Sequence, residues 1–162
     1  MVAAEGRRAR LSAGDVGDKS FCQTAVRRTL DRFGQIDILV NNAGEQHAQE
    51  SLEDIEEAQL ERTYRTNAFG TILMTQAVLP HLQKGARIIC VTSITAYKGQ
   101  DLLIDYASTK GAILAFLRAM ASQLAPTGML VKRVAPGPTW TPLIPASRPP
   151  TPATEGGPTR RR

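Results

Sequence analysis

Cysteine is scarce in this chain: Cys22 and Cys90 are the two in 162 residues. Their spacing fits neither a metal site nor a disulfide-exchange motif. Cys90 falls inside the apolar run RIICV, where it reads as a small buried hydrophobe. Histidine is equally sparse, and His47 and His81 stand far apart with no carboxylate motif beside them, so no metal site is expected. No apolar run approaches the ~20 residues that a membrane-spanning helix needs. The opening MVAAEGRRAR lacks the apolar stretch of a secretory signal. The expectation is a cytoplasmic protein with no membrane partner.

A nucleic-acid partner is not expected either. The formal charge is +5 and the pI near 9.6, but Arg7, Arg8, Arg10, Arg160, Arg161 and Arg162 sit at the two extremes. Without those six arginines the charge falls to −1, which leaves no basic stripe on the body of the protein. What the chain does have is 42% hydrophobic residues and a mean hydropathy of −0.20. That composition suits one globular domain large enough to bury a core.

Strand and helix patterns alternate along it. ARLSA (9–13) alternates polar and apolar and predicts a short strand running into the GDVGD loop. From Asp18, residues Phe21, Ala25, Val26, Leu30 and Phe33 recur at helical spacing, with Gly34 after the end. IDILV (36–40) is apolar on both faces, as a central parallel strand is, and NNAG follows it. Asp54 and Glu57 have capping-box spacing before a long helix through Leu60, Tyr64, Ala68, Thr71, Met74 and Val78, ended by Pro80. RIICVTS (87–93) predicts a buried strand, 105–124 a helix, and MLVKRVA (129–135) another strand. The alternation argues for an α/β protein with a parallel sheet. From Ser147 the sequence SRPPTPATEGGPTRRR has almost nothing to bury, and the reading is a domain over 1–146 followed by a disordered tail over 147–162.

The stretch DYASTKGAILAF places Tyr106 and Lys110 four apart, on one face of the predicted helix. Alone this is a weak signal. It gains weight in order with NNAG after a strand, Asn67 within the next helix, Ser93 closing the following strand and Pro136-Gly137 after the next. Together these residues resemble the short-chain dehydrogenase/reductase family, from about residue 5 to 146. The wording of NNAGEQHAQESLEDI, SITAYKG and PLIPA is most similar to its glucose/ribitol dehydrogenase-like and general-stress branch.

The resemblance implies an NAD(P)-dependent oxidoreductase that transfers hydride between a nicotinamide (NAD or NADP) and an alcohol or carbonyl substrate. Tyr106 would be the acid/base, its phenol made more acidic by the Lys110 ammonium. Lys110 would also hold the cofactor ribose, Ser93 the substrate oxygen, and Asn67 would kink its helix and hold a water that links the lysine to solvent. Asp15 and Val16 would lie at the adenine, and Asn41, Ala43 and Gly44 would brace the sheet beside the ribose. Pro136, Gly137, Thr139 and Thr141 would face the carboxamide. Helix 105–124, apolar nearly all round, would make a subunit contact in a homo-oligomer.

The chain also departs from that pattern. It has no glycine-rich phosphate turn after an opening strand, since Gly14 and Gly17 are not spaced for one. The first two βα units and the last strand of the family's sheet have no counterpart. The expectation is therefore a partial Rossmann-type sheet of about four strands with flanking helices, whose first strand and IDILV are either separated by roughly 14 Å or forced together. IDILV would then expose an apolar, aggregation-prone edge. A truncated chain of this kind would bind dinucleotide poorly and turn over little. The alternative is a non-catalytic fragment serving as an interaction module.

Overall fold

The computed structural model describes residues 5–139 together with Thr141 and Leu143. The expected tail over 147–162 lies outside the described residues.

Helix α1 (Lys19–Phe33) forms where the apolar spacing predicts it. Asp18 caps its start, the carboxylate accepting from the Ser20 N–H at 2.7 Å, and Gly34 closes it with φ 86°, a left-handed conformation that costs glycine little. Strand β1 (Ile38–Asn41) follows. Asp54 does not cap the long helix, as its spacing suggested. It closes a 3-10 turn over Leu52–Asp54 by accepting from the Ser51 N–H at 3.2 Å. The long helix comes in three parts: α2 (Glu57–Tyr64), a π turn (Arg65–Phe69) and α3 (Gly70–Val78). Pro80 sits in the 3-10 turn that ends it. Strand β2 (Arg87–Val91), the short α4 (Thr95–Lys98), α5 (Ile104–Leu124) and strand β3 (Leu130–Val134) complete the order.

Among the described residues the sheet has three strands, parallel, in the order β1-β2-β3. The expected strand at ARLSA is not formed; residues 9–13 have no regular structure and Leu11 is 95% exposed. A parallel strand needs a neighbour to satisfy its backbone, and among the described residues no strand stands beside this segment. The gap considered from the sequence therefore does not arise.

Both crossovers step the same way across the sheet. A right-handed connection puts its helix on a fixed side for a given direction of step, so α2–α3 and α5 cover the same face. The register aligns Leu39, Ile88 and Val131 in one row on that face. There Ile88 and Cys90 join Val26, Val78, Ile113, Leu117 and Met120 in a single core. The opposite face stays open: Ile38 is 50%, Val40 55% and Val134 52% exposed. IDILV is thus an edge strand covered on one face, not a central strand buried on both, because the helices that would cover the other side need crossovers stepping the other way.

Candidate active site

The C-terminal ends of β1 and β2, the π turn and the first turns of α5 meet at one place. Tyr106 and Lys110 are on the buried side of α5, 8% and 3% exposed. Four residues of helix put both side chains on one face. The Lys110 ammonium lies 5.4 Å from the centre of the Tyr106 ring and donates to the Val91 carbonyl at 2.9 Å. Ser93, just past the end of β2, accepts from the Thr95 N–H at 3.2 Å and is close enough to the Tyr106 phenol to favour its ionised form.

The electrostatics differ from the simple expectation. Burial pushes the Tyr106 phenol above its ordinary value, and Ser93 only partly opposes this. The Lys110 ammonium sits over the ring and is turned to Val91. Burial also lowers Lys110 itself from 10.5 to about 8, with the nearby Cys90 thiol acting weakly the other way.

Asn67 occupies the π turn, where the Gly70 N–H reaches back five residues to the Arg65 carbonyl. It is fully buried, not at the surface. Its amide clamps Glu45 from both sides, accepting from the backbone N–H at 2.8 Å and donating to the carbonyl at 2.9 Å, and donates to Thr109 at 3.1 Å. The clamp brings Gly44 into the site: a Cβ there would lie 3.3 Å from Asn67 Oδ1 and 3.5 Å from Lys110 Nζ. Asn41 braces the sheet, donating to Thr75 at 3.0 Å and to Cys90 Sγ at 3.4 Å. Ala43 is exposed beside it.

The remaining expected residues fall around this centre. Asp15 turns back on itself, accepting from the Gly17 N–H at 2.7 Å, and Val16 packs so closely on Gly70 that a Cβ there would sit 2.7 Å from Val16 Cγ2. Gly14 and Gly17 are accounted for by packing against the Phe21 ring and the Arg65 side chain. They do not form a phosphate cradle. Pro136 accepts from the Ile94 N–H at 3.1 Å, which holds Gly137 beside the strand end that carries Ser93. Thr139 and Thr141 are exposed, Thr139 donating to Gly137 O at 3.2 Å. A cleft of about 860 Å³ opens between Asp15, Glu45, Tyr64, Arg65 and Phe69. It adjoins the site on the Asp15 side, and the reacting side chains do not line it. Among the described residues no group of three His, Cys, Asp or Glu is placed to hold a metal, and no helix is long and apolar enough to cross a membrane.

One buried carboxylate escaped the sequence reading. Asp105 is 2% exposed, next to Tyr106, and bound by Gln59 and Thr63 of α2. A polar residue at the start of the helix with Gln59 and Thr63 four apart was the available signal, and it looks like an ordinary solvated face.

A Ser, a Tyr and a Lys thus gather at the strand ends of a parallel sheet, with an Asn in a π turn beside them, in an α/β domain. The family model for short chain dehydrogenases matches residues 1–151, and the chain belongs to that family. It is 58% identical over 145 residues to the uncharacterized oxidoreductase YhdF of Bacillus subtilis (strain 168), covering 90% of this chain and 50% of that protein. To the glucose and ribitol dehydrogenase of Daucus carota it is 50% identical over 135 residues, 83% of this chain and 46% of the relative. Among solved structures, a short chain dehydrogenase from Burkholderia cenocepacia J2315 in complex with NADP superposes with a TM-score of 0.83 at 36% identity, covering 87% of this chain and 58% of that one. The 3-ketoacyl-(acyl-carrier-protein) reductase of Brucella melitensis complexed with NADH gives 0.79 at 33%, covering 82% and 57%. The chain spans about half the length of the curated relatives it matches.

Proposed function

We propose that this chain carries the proton-transfer centre of an NAD(P)-dependent oxidoreductase acting on an alcohol or carbonyl compound, with Tyr106 as the acid/base. The observation that carries this reading is the convergence of Ser93, Tyr106, Lys110 and Asn67 on one point, drawn from three separate parts of the fold: the end of β2, the first turns of α5 and the π turn. NAD(P) fits the nicotinamide-ribose end of the site. Gly44 leaves open the space that a Cβ would fill beside Lys110, and the buried ammonium has N–H groups beyond the one given to Val91. The described residues offer no backbone cradle for the pyrophosphate. When bound, the dinucleotide supplies the hydride or takes it up.

The residues of the chain handle the proton and the oxygen. Ser93 holds the substrate oxygen and polarises its bond to carbon. Tyr106 donates its O–H proton to that oxygen during reduction and takes it back during oxidation. A phenol raised by burial stays protonated at neutral pH, which suits the reducing direction. Oxidation should therefore speed up with rising pH until the phenol ionises. The buried Glu45 Oε1, His47 Nε2 and Thr95 Oγ1 atoms lack hydrogen-bond partners, which favours a substrate with further hydroxyls.

A second reading is a non-catalytic module that docks on a complete relative, and the open sheet face favours it. The exposed small residues Ala112, Ala115 and Ala119 on α5 would serve self-association of either form. Calorimetric titration with NADH and NADPH separates the readings. The oxidoreductase reading expects binding that Lys110→Ala weakens, and aldehyde-dependent NAD(P)H oxidation that Tyr106→Phe abolishes. No binding, together with association with a full-length homologue, would support the module.

A further inference from the structure

Asp105 has no part in the chemistry just described, yet it is a buried carboxylate one residue from the proposed acid/base. Three donors converge on it. Gln59 Nε2 donates to Oδ2 at 3.1 Å, Thr63 Oγ1 donates to Oδ2 at 2.8 Å, and the Tyr106 N–H donates to Oδ1 at 2.7 Å. A carboxylate has lone pairs for all three, whereas an amide in the same place would turn an N–H toward one of the donors. Its position in the first turn of α5 lets the helix dipole offset part of the cost of burying the charge.

The network continues beyond Asp105. Gln59 Oε1 accepts from Gln49 Nε2 at 2.6 Å, and the Gln49 N–H donates to Leu102 O at 3.0 Å. Gln49 ends the loop that begins at Glu45, and Glu45 is the residue clamped by Asn67. From Asn67 a second path runs through Thr109, whose hydroxyl donates to the Tyr106 carbonyl at 2.7 Å. The N–H and the C=O of Tyr106 are therefore each the end of a buried polar path, and the two paths lead to opposite ends of the 45–49 loop.

We infer that Asp105 is a positioning residue, which with Gln59 and Thr63 locks the Tyr106 turn in register with the 45–49 loop so that the phenol meets Ser93. The inference rests on the reading of Tyr106 as the acid/base. It predicts coupling: a change at the Gln49 end of the path is felt at the Tyr106 phenol, although Gln49 does not touch it.

The test follows the phenol directly in the full chain without nucleotide. Carbon-13 labelling of the three tyrosines, assigned by Tyr64→Phe and Tyr97→Phe, gives the Tyr106 titration by NMR. Asp105→Asn should lower the Tyr106 midpoint toward that of a free phenol by about half a pH unit or more, since the loosened turn admits water and a negative charge is gone. Tyr97 should not move. Gln49→Ala should shift Tyr106 the same way by less, and the double variant should do no more than Asp105→Asn alone. An unchanged Tyr106 midpoint with a lower melting temperature would show a merely structural carboxylate and overturn the inference, as would additive shifts in the double variant. If Asp105→Asn does not fold, Thr63→Val paired with Gln49→Ala makes the same comparison. No nucleotide enters this measurement, so a failed cofactor titration and a failed coupling are separate results.

Discussion

Lys110 puts an ammonium group where only 3% of the residue meets solvent, and its ordinary value of 10.5 falls to about 8. Unfolded chains hold that proton up to about pH 10.5, so between pH 8 and 10.5 the unfolded state binds more protons than the folded one. Stability from this group therefore rises with pH across that window, and below about 8 the burial penalty is present in full. The shift corresponds to an order of magnitude of about 3 kcal/mol. Lys110→Met is expected to stabilise the nucleotide-free chain by roughly 1–3 kcal/mol near neutrality, the lost bond to Val91 offsetting part of the gain. That gain should shrink as the pH approaches 10, which urea denaturation at several pH values will show. Tyr106 has the opposite sign. Its raised folded value makes its contribution complete below pH 10 and lost as the pH rises beyond, so the lysine effect is best read below that point.

The element that shapes the site is the π turn. It inserts one extra residue into an otherwise continuous helix and turns the Asn67 amide inward to the Glu45 backbone. Asn67→Ala leaves a buried N–H and C=O at Glu45 without partners, at a cost of about 2–4 kcal/mol. Chemical denaturation measures this, and faster amide exchange at Glu45 should accompany it. The neighbouring Gly70 makes a steric prediction. A Cβ 2.7 Å from Val16 Cγ2 cannot be accommodated without moving the chain, so Gly70→Ala should displace the Asp15–Val16 segment. Nucleotide affinity measured by calorimetry should fall while the far-ultraviolet circular dichroism is kept.

For the molecule as a whole, the consequence of one-sided helix cover is an apolar face and edge open to water. Among the described residues Ile38 and Val40 lie on an edge strand, with no strand paired along its outer side. Such an edge templates pairing with another chain. Concentration-dependent association is expected by light scattering, and Val40→Lys should reduce it without changing the melting temperature by more than a few degrees, since Val40 is already 55% exposed.

Much of this was legible before any coordinates. The apolar spacing set α1 and its glycine cap, the short apolar runs set β1 and β2, and the four-residue step from Tyr106 to Lys110 put both on one face of a helix. These are local properties, fixed by backbone geometry and the period of side-chain burial. The missing strand at ARLSA, the open face of IDILV, the upward shift of the phenol and the Asp105 network were not legible. Each depends on what stands several ångströms away from a distant part of the chain. A strand exists only with a neighbour, a face is buried only if a crossover brings a helix to it, and a titrating group responds to the water it has lost. Residue order gives each of these side chains its chemistry, and only the tertiary contacts decide which partners that chemistry meets.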